Sequence, residues 1–166
     1  MVKNLFLVRH AEAAEAIAGI KDIERDLTAK GYRDAPRVGK YLFELNVSTD
    51  AMLSSSAQRA RATAELMAEQ LKYEQHKIAY VEELYNASVR SMLQIINEAK
   101  PHWNKLIVVA HNPSISYLAE YLSGEAIGNM VPAGMVNLSF EIDNWSEVSE
   151  GLGKLEKYVT PDTIIF

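Results

Sequence analysis

The chain has 166 residues, a formal net charge of −5 and no cysteine. Its length suits a single domain, residues 1–166, and the missing cysteines exclude disulfides, thiolate metal centres and cysteine nucleophiles. The acidic balance excludes the broad basic face of a nucleic-acid binder, yet a few arginines can still form a local positive pocket.

Met1-Val2-Lys3-Asn4 runs directly into the first apolar run and leaves no room for a signal peptide. No apolar stretch approaches the roughly 20 residues that span a bilayer, so a cytoplasmic protein is the expectation. Strand signals follow at Asn4–Val8, Ala51–Leu53, Lys77–Val81, Leu106–Ala110 and Val136–Ile142, short runs rich in aliphatic and β-branched residues. Helical spacing fills the intervals. Val38, Leu42 and Leu45 mark a first helix, which Pro36 either kinks or enters in its first turn. Ala60, Ala64, Met67 and Leu71 mark a second from about Ala57, and Met92, Ile95, Ile96 and Ala99 a third, stopped by Pro101. Ile115, Leu118, Ala119 and Leu122 mark a fourth, ending near Gly124. Alternating strands and helices predict a three-layer α/β/α fold with a mostly parallel central sheet, and the β-rich stretch after Gly134 predicts antiparallel edge strands.

Two strand signals end in histidine: Leu5-Phe6-Leu7-Val8 in Arg9-His10, and Leu106 to Ala110 in His111. Ligands of an open α/β sheet bind where strands end and the chain turns away, so these distant segments suggest one site. A neutral imidazole can attack in line if its other nitrogen is oriented, and an arginine fork matches phosphate oxygens. The pair suits a phosphoryl group. Ser54-Ser55-Ser56 precedes the second helix, where serine capping and free amides favour an anion; Arg59 in its first turn can point back towards the strand ends, whereas Arg61 reads as a solvated helix residue. Asn112 and Pro113 predict an N-cap and first helical residue directly after His111. His76 and His102 lie in polar, loop-like contexts, and no metal-ligand spacing such as HExxH is present.

Taken in order, Leu-Val-Arg9-His10-Ala-Glu, then Ser55-Ser56-Ala57-Gln58-Arg59-Ala60-Arg61-Ala62-Thr63-Ala64, then Val-Val-Ala-His111-Asn112-Pro113 resemble the histidine phosphatase superfamily, and within it the short SixA-like phosphohistidine phosphatases. The resemblance extends to Asp22-Ile-Glu-Arg25-Asp-Leu27-Thr28-Ala-Lys-Gly31, to Glu83-Leu84-Tyr85-Asn86-Ala87-Ser88 and to the closing Lys154 to Pro161. It implies a phosphoglycerate mutase-like fold, His10 as the nucleophile of a phosphohistidine intermediate, and a phosphoryl pocket of Arg9, Arg59 and His111. It also implies no cofactor and no metal, since cationic side chains supply the charge.

Two departures stand out. Ala11 replaces the usual glycine after the histidine, which is tolerable if its φ is negative. Asn86 stands near the position where many members carry a carboxylic acid, a residue the SixA-like branch commonly lacks; Glu82 or Glu83 is the nearest replacement. An alkoxide must be protonated as it leaves, a service worth roughly 10²–10⁴ in rate, whereas a protonated imidazole leaves readily. The expected activity is therefore hydrolysis of phosphohistidine on proteins, by a monomer in the absence of any association signal. A general small-phosphomonoester phosphatase and a non-catalytic phosphate- or phosphoprotein-binding module are the alternatives.

Overall fold

Leu5-Phe6-Leu7-Val8 sends alternate side chains to opposite faces of a sheet, and both faces are covered. Leu5 and Leu7 enter one buried apolar layer, Phe6 and Val8 the other. The computed structural model describes Met1–Phe166. Its strands are β1 (Val2–Arg9), β2 (Ala51–Ser55), β3 (Ala79–Val81), β4 (Lys105–Ala110), β5 (Met135–Glu141) and β6 (Lys154–Val159). Its helices are α1 (Ala29–Glu44), α2 (Gln58–Leu71), α3 (Val89–Asn97) and α4 (Ser114–Ser123). No helix is long and apolar enough to cross a membrane.

One sheet runs in the order β3-β2-β4-β1-β5-β6. Strands β1 to β4 are mutually parallel, β5 runs antiparallel to β1, and β6 runs antiparallel to β5. Residues of α1 and α2 pack with Phe6, Met52 and Ile107 on one face, those of α3 and α4 with Leu7, Leu53 and Val108 on the other. The three-layer expectation holds. The chain leaves β1 towards β2, passing β4, and leaves β4 towards β5, passing β1. Adjacent central strands thus send their connections in opposite directions, which opens a crevice at their C-terminal ends.

Local details differ from the sequence reading. Pro36 lies in the middle of α1, because Thr28 starts the helix earlier by accepting from Gly31 N at 3.1 Å. A Cβ on Gly31 would lie 2.3 Å from Glu12 O, so glycine lets the segment after His10 pack on α1. Lys77 belongs to a short 3-10 turn, and β3 begins only at Ala79. After Gly134 only β6 is an edge strand; β5 lies inside, against β1. The N-cap of α4 is Pro113, and Asn112 instead accepts from the Ser116 hydroxyl. No serine side chain caps α2; its N-cap is Ala57, whose amide donates to Ser55 Oγ at 3.2 Å.

Candidate active site

Arg9 pairs with Ala110 in the β1–β4 ladder, so His10 and His111 leave the sheet side by side. Their ring centroids are 5.1 Å apart. The next residue, Ala11, is fully buried, and its amide donates to Thr63 Oγ1 at 2.9 Å while that hydroxyl donates to Arg59 O at 2.8 Å. Thr63 ties the segment after His10 to α2 and draws in Arg59, one helical turn earlier on the same face. Ala11 is not among the positive-φ residues, so alanine fits where glycine was expected.

His10 Nδ1 lies 2.8 Å from Ala11 O. A carbonyl only accepts, so Nδ1 carries the proton and Nε2 keeps its lone pair. His10 is 9% exposed, and its pKa is pushed down to about 4, chiefly by burial and further by Arg59 and Arg9, while the Ala11 bond works the other way. His111 is pushed down to about 3 by burial, then by His10 and Arg59. Its Nε2 lies 2.7 Å from Ser55 Oγ, the hydroxyl that also receives the Ala57 amide. Both rings are neutral near pH 7.

Arg9 Nη1 donates to Met130 O at 2.7 Å, and its buried Nε has no partner. A buried donor without an acceptor costs about 1–3 kcal/mol, and an oxyanion would supply the acceptor. Ser116 Oγ accepts from Met130 N at 2.9 Å, so the Asn112–Ser116 pair holds the loop that receives Arg9. Arg59 is buried, with Nη1 donating to Asp22 O at 2.8 Å and Nη2 to Asp22 Oδ2 at 3.1 Å.

Asp22 and Tyr85 carry no role in the sequence reading. Tyr85 OH donates to Asp22 Oδ2 at 2.5 Å, its ring sits edge-on to His111 at 5.7 Å, and Arg25 Nη1 donates to Asp22 Oδ1 at 3.0 Å. The Asp22 carboxyl is held down at about 2, first by Tyr85 and then by Arg59 and Arg25. The Asp22-x-x-Arg25 spacing was visible in the chain; its approach to Arg59, 37 residues away, was not.

The structure thus brings His10, His111, Arg9 and Arg59 to one crevice. It does not bring the carboxylates considered as proton donors: Glu82 and Glu83 are exposed and bond to none of these side chains, and Glu83 lines a separate cleft with Leu53, Ile95 and Trp103. Asn86 is exposed and left-handed (φ 57°), a turn conformation that asparagine accepts readily. Arg61 lies outside the cluster, 3.8 Å over the Tyr80 ring.

Burial of two neutral imidazoles sets a pH dependence of stability. Each folded pKa lies below the unfolded value, so the unfolded chain binds more protons in the window from about 6.5 down to about 4 for His10 and about 3 for His111, and stability falls as pH falls through it. His111→Gln is expected to retain on the order of 1–2 kcal/mol more of its pH 7 stability at pH 5 than the wild type does. Denaturant melts at the two pH values check this; parallel losses in both proteins would show that His111 titrates normally.

Two neutral imidazoles at the ends of parallel strands thus lie close to two guanidinium groups, one from β1 and one from α2, an arrangement whose charge and donors suit a tetrahedral oxyanion. The model of the histidine phosphatase superfamily (branch 1) matches residues 5–92, and the chain belongs to that superfamily. It is 29% identical to the uncharacterized protein Rv1276c of Mycobacterium tuberculosis, over 93% of this chain and 99% of that one. Among solved structures it is similar to one from Agrobacterium tumefaciens that carries the name phosphohistidine phosphatase SixA. That similarity has a TM-score of 0.82 at 25% identity, covering 96% of this chain and 98% of the other. The protein histidine phosphatase SixA complexed with tungstate superposes with a TM-score of 0.78 at 22% identity, over 96% and 97% of the two chains. The phosphoglycerate mutase-like fold and the SixA-like branch expected from the sequence are thereby established, and the chain is a phosphatase by family.

Proposed function

We propose that residues 1–166 form one catalytic domain that hydrolyses phosphohistidine on proteins through a covalent phosphohistidine at His10, without a metal. The observation that carries this reading is the His10 tautomer. Ala11 O fixes the proton on Nδ1, which leaves the Nε2 lone pair free beside Arg59 and the unpartnered Nε of Arg9. In the first step Nε2 attacks phosphorus and the leaving group departs with its bonding pair; in the second, water attacks phosphorus and His10 Nε2 is released. Charge spread over the phosphoryl oxygens is met by Arg9 and Arg59, and a neutral His111 can donate without adding charge. The solved SixA relatives support the same substrate class.

The cluster contains no carboxylic acid poised to protonate an alkoxide, since Asp22 is held ionised. With chelator present, phosphate release is expected from a phosphohistidine-bearing protein and from an aryl phosphate, and at least about 10²-fold more slowly from an alkyl phosphate. Comparable alkyl turnover would establish a general phosphomonoesterase. Binding of phosphoprotein with no release from any substrate would establish a binding module.

A further inference from the structure

His10 and Arg59 form the buried floor of the pocket, whereas the Asp22 side chain, 49% exposed, stands at its mouth with Tyr85. In-line attack from the floor places the leaving group on the opposite side of phosphorus, towards that mouth. Asp22 Oδ2 is occupied by Arg59 Nη2 and Tyr85 OH, but Oδ1 receives only Arg25 Nη1. One further acceptor site on Oδ1 is therefore open to a group arriving from solvent.

We propose that Asp22 selects the leaving group, pairing with a positively charged nitrogen base and so defining the substrate class as phosphoramidates whose departing nitrogen belongs to a cation, above all the phosphohistidine ring protonated on its other nitrogen. The inference rests on the phosphatase reading above and deepens it. As His10 Nε2 bonds to phosphorus, the substrate N–P bond breaks and its electron pair returns to the departing ring nitrogen. The ring leaves as neutral imidazole, keeping the N–H that Asp22 accepts, so no proton is transferred and no general acid is required. The same carboxylate repels phosphate esters with a second anionic group near phosphorus, and it offers nothing to a departing alkoxide, an anion with no hydrogen to donate. The charged and titratable groups facing Asp22 are Arg59 from α2, Arg25 from its own loop, Tyr85 after β3 and His111 after β4, with His10 and Arg9 behind them. Tyr85, Arg59 and Arg25 together keep the carboxylate ionised, and one acceptor site on Oδ1 stays open.

The test compares Asp22→Asn with the wild type on a phosphohistidine peptide and an aryl phosphate, each across pH. Asparagine can still accept from Arg59 and Tyr85, so loss of Arg59 positioning alone would lower both substrates alike. The expected result is an additional loss of about tenfold for the phosphohistidine peptide over the aryl phosphate. The alkaline limb of the peptide's kcat profile, set by protonation of its ring within the enzyme–substrate complex, should also move down by about one pH unit. Equal losses on both substrates with an unmoved limb would overturn the inference and leave the phosphatase reading standing. Aryl turnover by a wild type that is silent on phosphohistidine would overturn both.

Discussion

His10→Ala is expected to lower turnover at least about 10⁴-fold on every substrate while leaving the fold intact. The substitution removes the only imidazole whose nucleophilic nitrogen is freed by a fixed tautomer, and His111 cannot replace it because its Nε2 is engaged by Ser55 Oγ. The structural cost is modest. His10 lies at the strand end, and its side chain makes one hydrogen bond, to Ala11 O, worth about 1 kcal/mol. At roughly 2–4 °C per kcal/mol for a chain of this size, the melting temperature should fall by about 5 °C or less. Rapid acid-free quenching of the wild type during turnover should trap one labile phosphoryl group per chain, absent from His10→Ala. Full activity of the variant would remove His10 from the mechanism, and a collapse in melting temperature would make it a structural residue.

Arg59→Ala is expected to cost about 10³–10⁵ in kcat/KM, the range seen when an arginine that meets transition-state charge in phosphoryl transfer is removed. Its guanidinium is buried beside both histidines and is aimed by Asp22 through its backbone oxygen and its carboxylate. Arg59→Lys keeps the charge but loses the planar fork, so it should recover only part of the loss. Competitive inhibition by tungstate should weaken in parallel with kcat/KM if Arg59 holds the phosphoryl oxygens. Unchanged tungstate affinity with lost turnover would instead place Arg59 away from the bound oxyanion.

Much of this was legible in the chain because the informative residues lie beside strong local signals. Apolar runs bounded by polar residues locate β1 and β4, and a side chain at the end of such a run is placed by covalent connectivity alone. Arg59 was legible for a similar reason, as a first-turn residue of a well-patterned helix. Boundaries were less so. Thr28 starts α1 before Pro36 through a cap whose strength no periodicity reveals, and Asn112 gives up its expected capping role because Ser116, one turn on, offers a side-chain partner.

The proton-donor position shows the division most clearly. Sequence proximity pointed to Glu82 and Glu83, but a 3-10 turn leaves both exposed and off the cluster, while Tyr85 two residues later reaches His111 and Asp22. By itself the sequence determined the layers, the strand ends and the four side chains that meet there, because hydrophobic period and chain connectivity are local. Only the tertiary structure decided the His10 tautomer, the neutral state of both rings, the orphan donor of Arg9 and the carboxylate at the mouth. The tautomer depends on how the backbone leaving β1 turns Ala11 O onto the ring, and the others depend on burial or on a partner tens of residues away; none of these is written in a hydrophobic period.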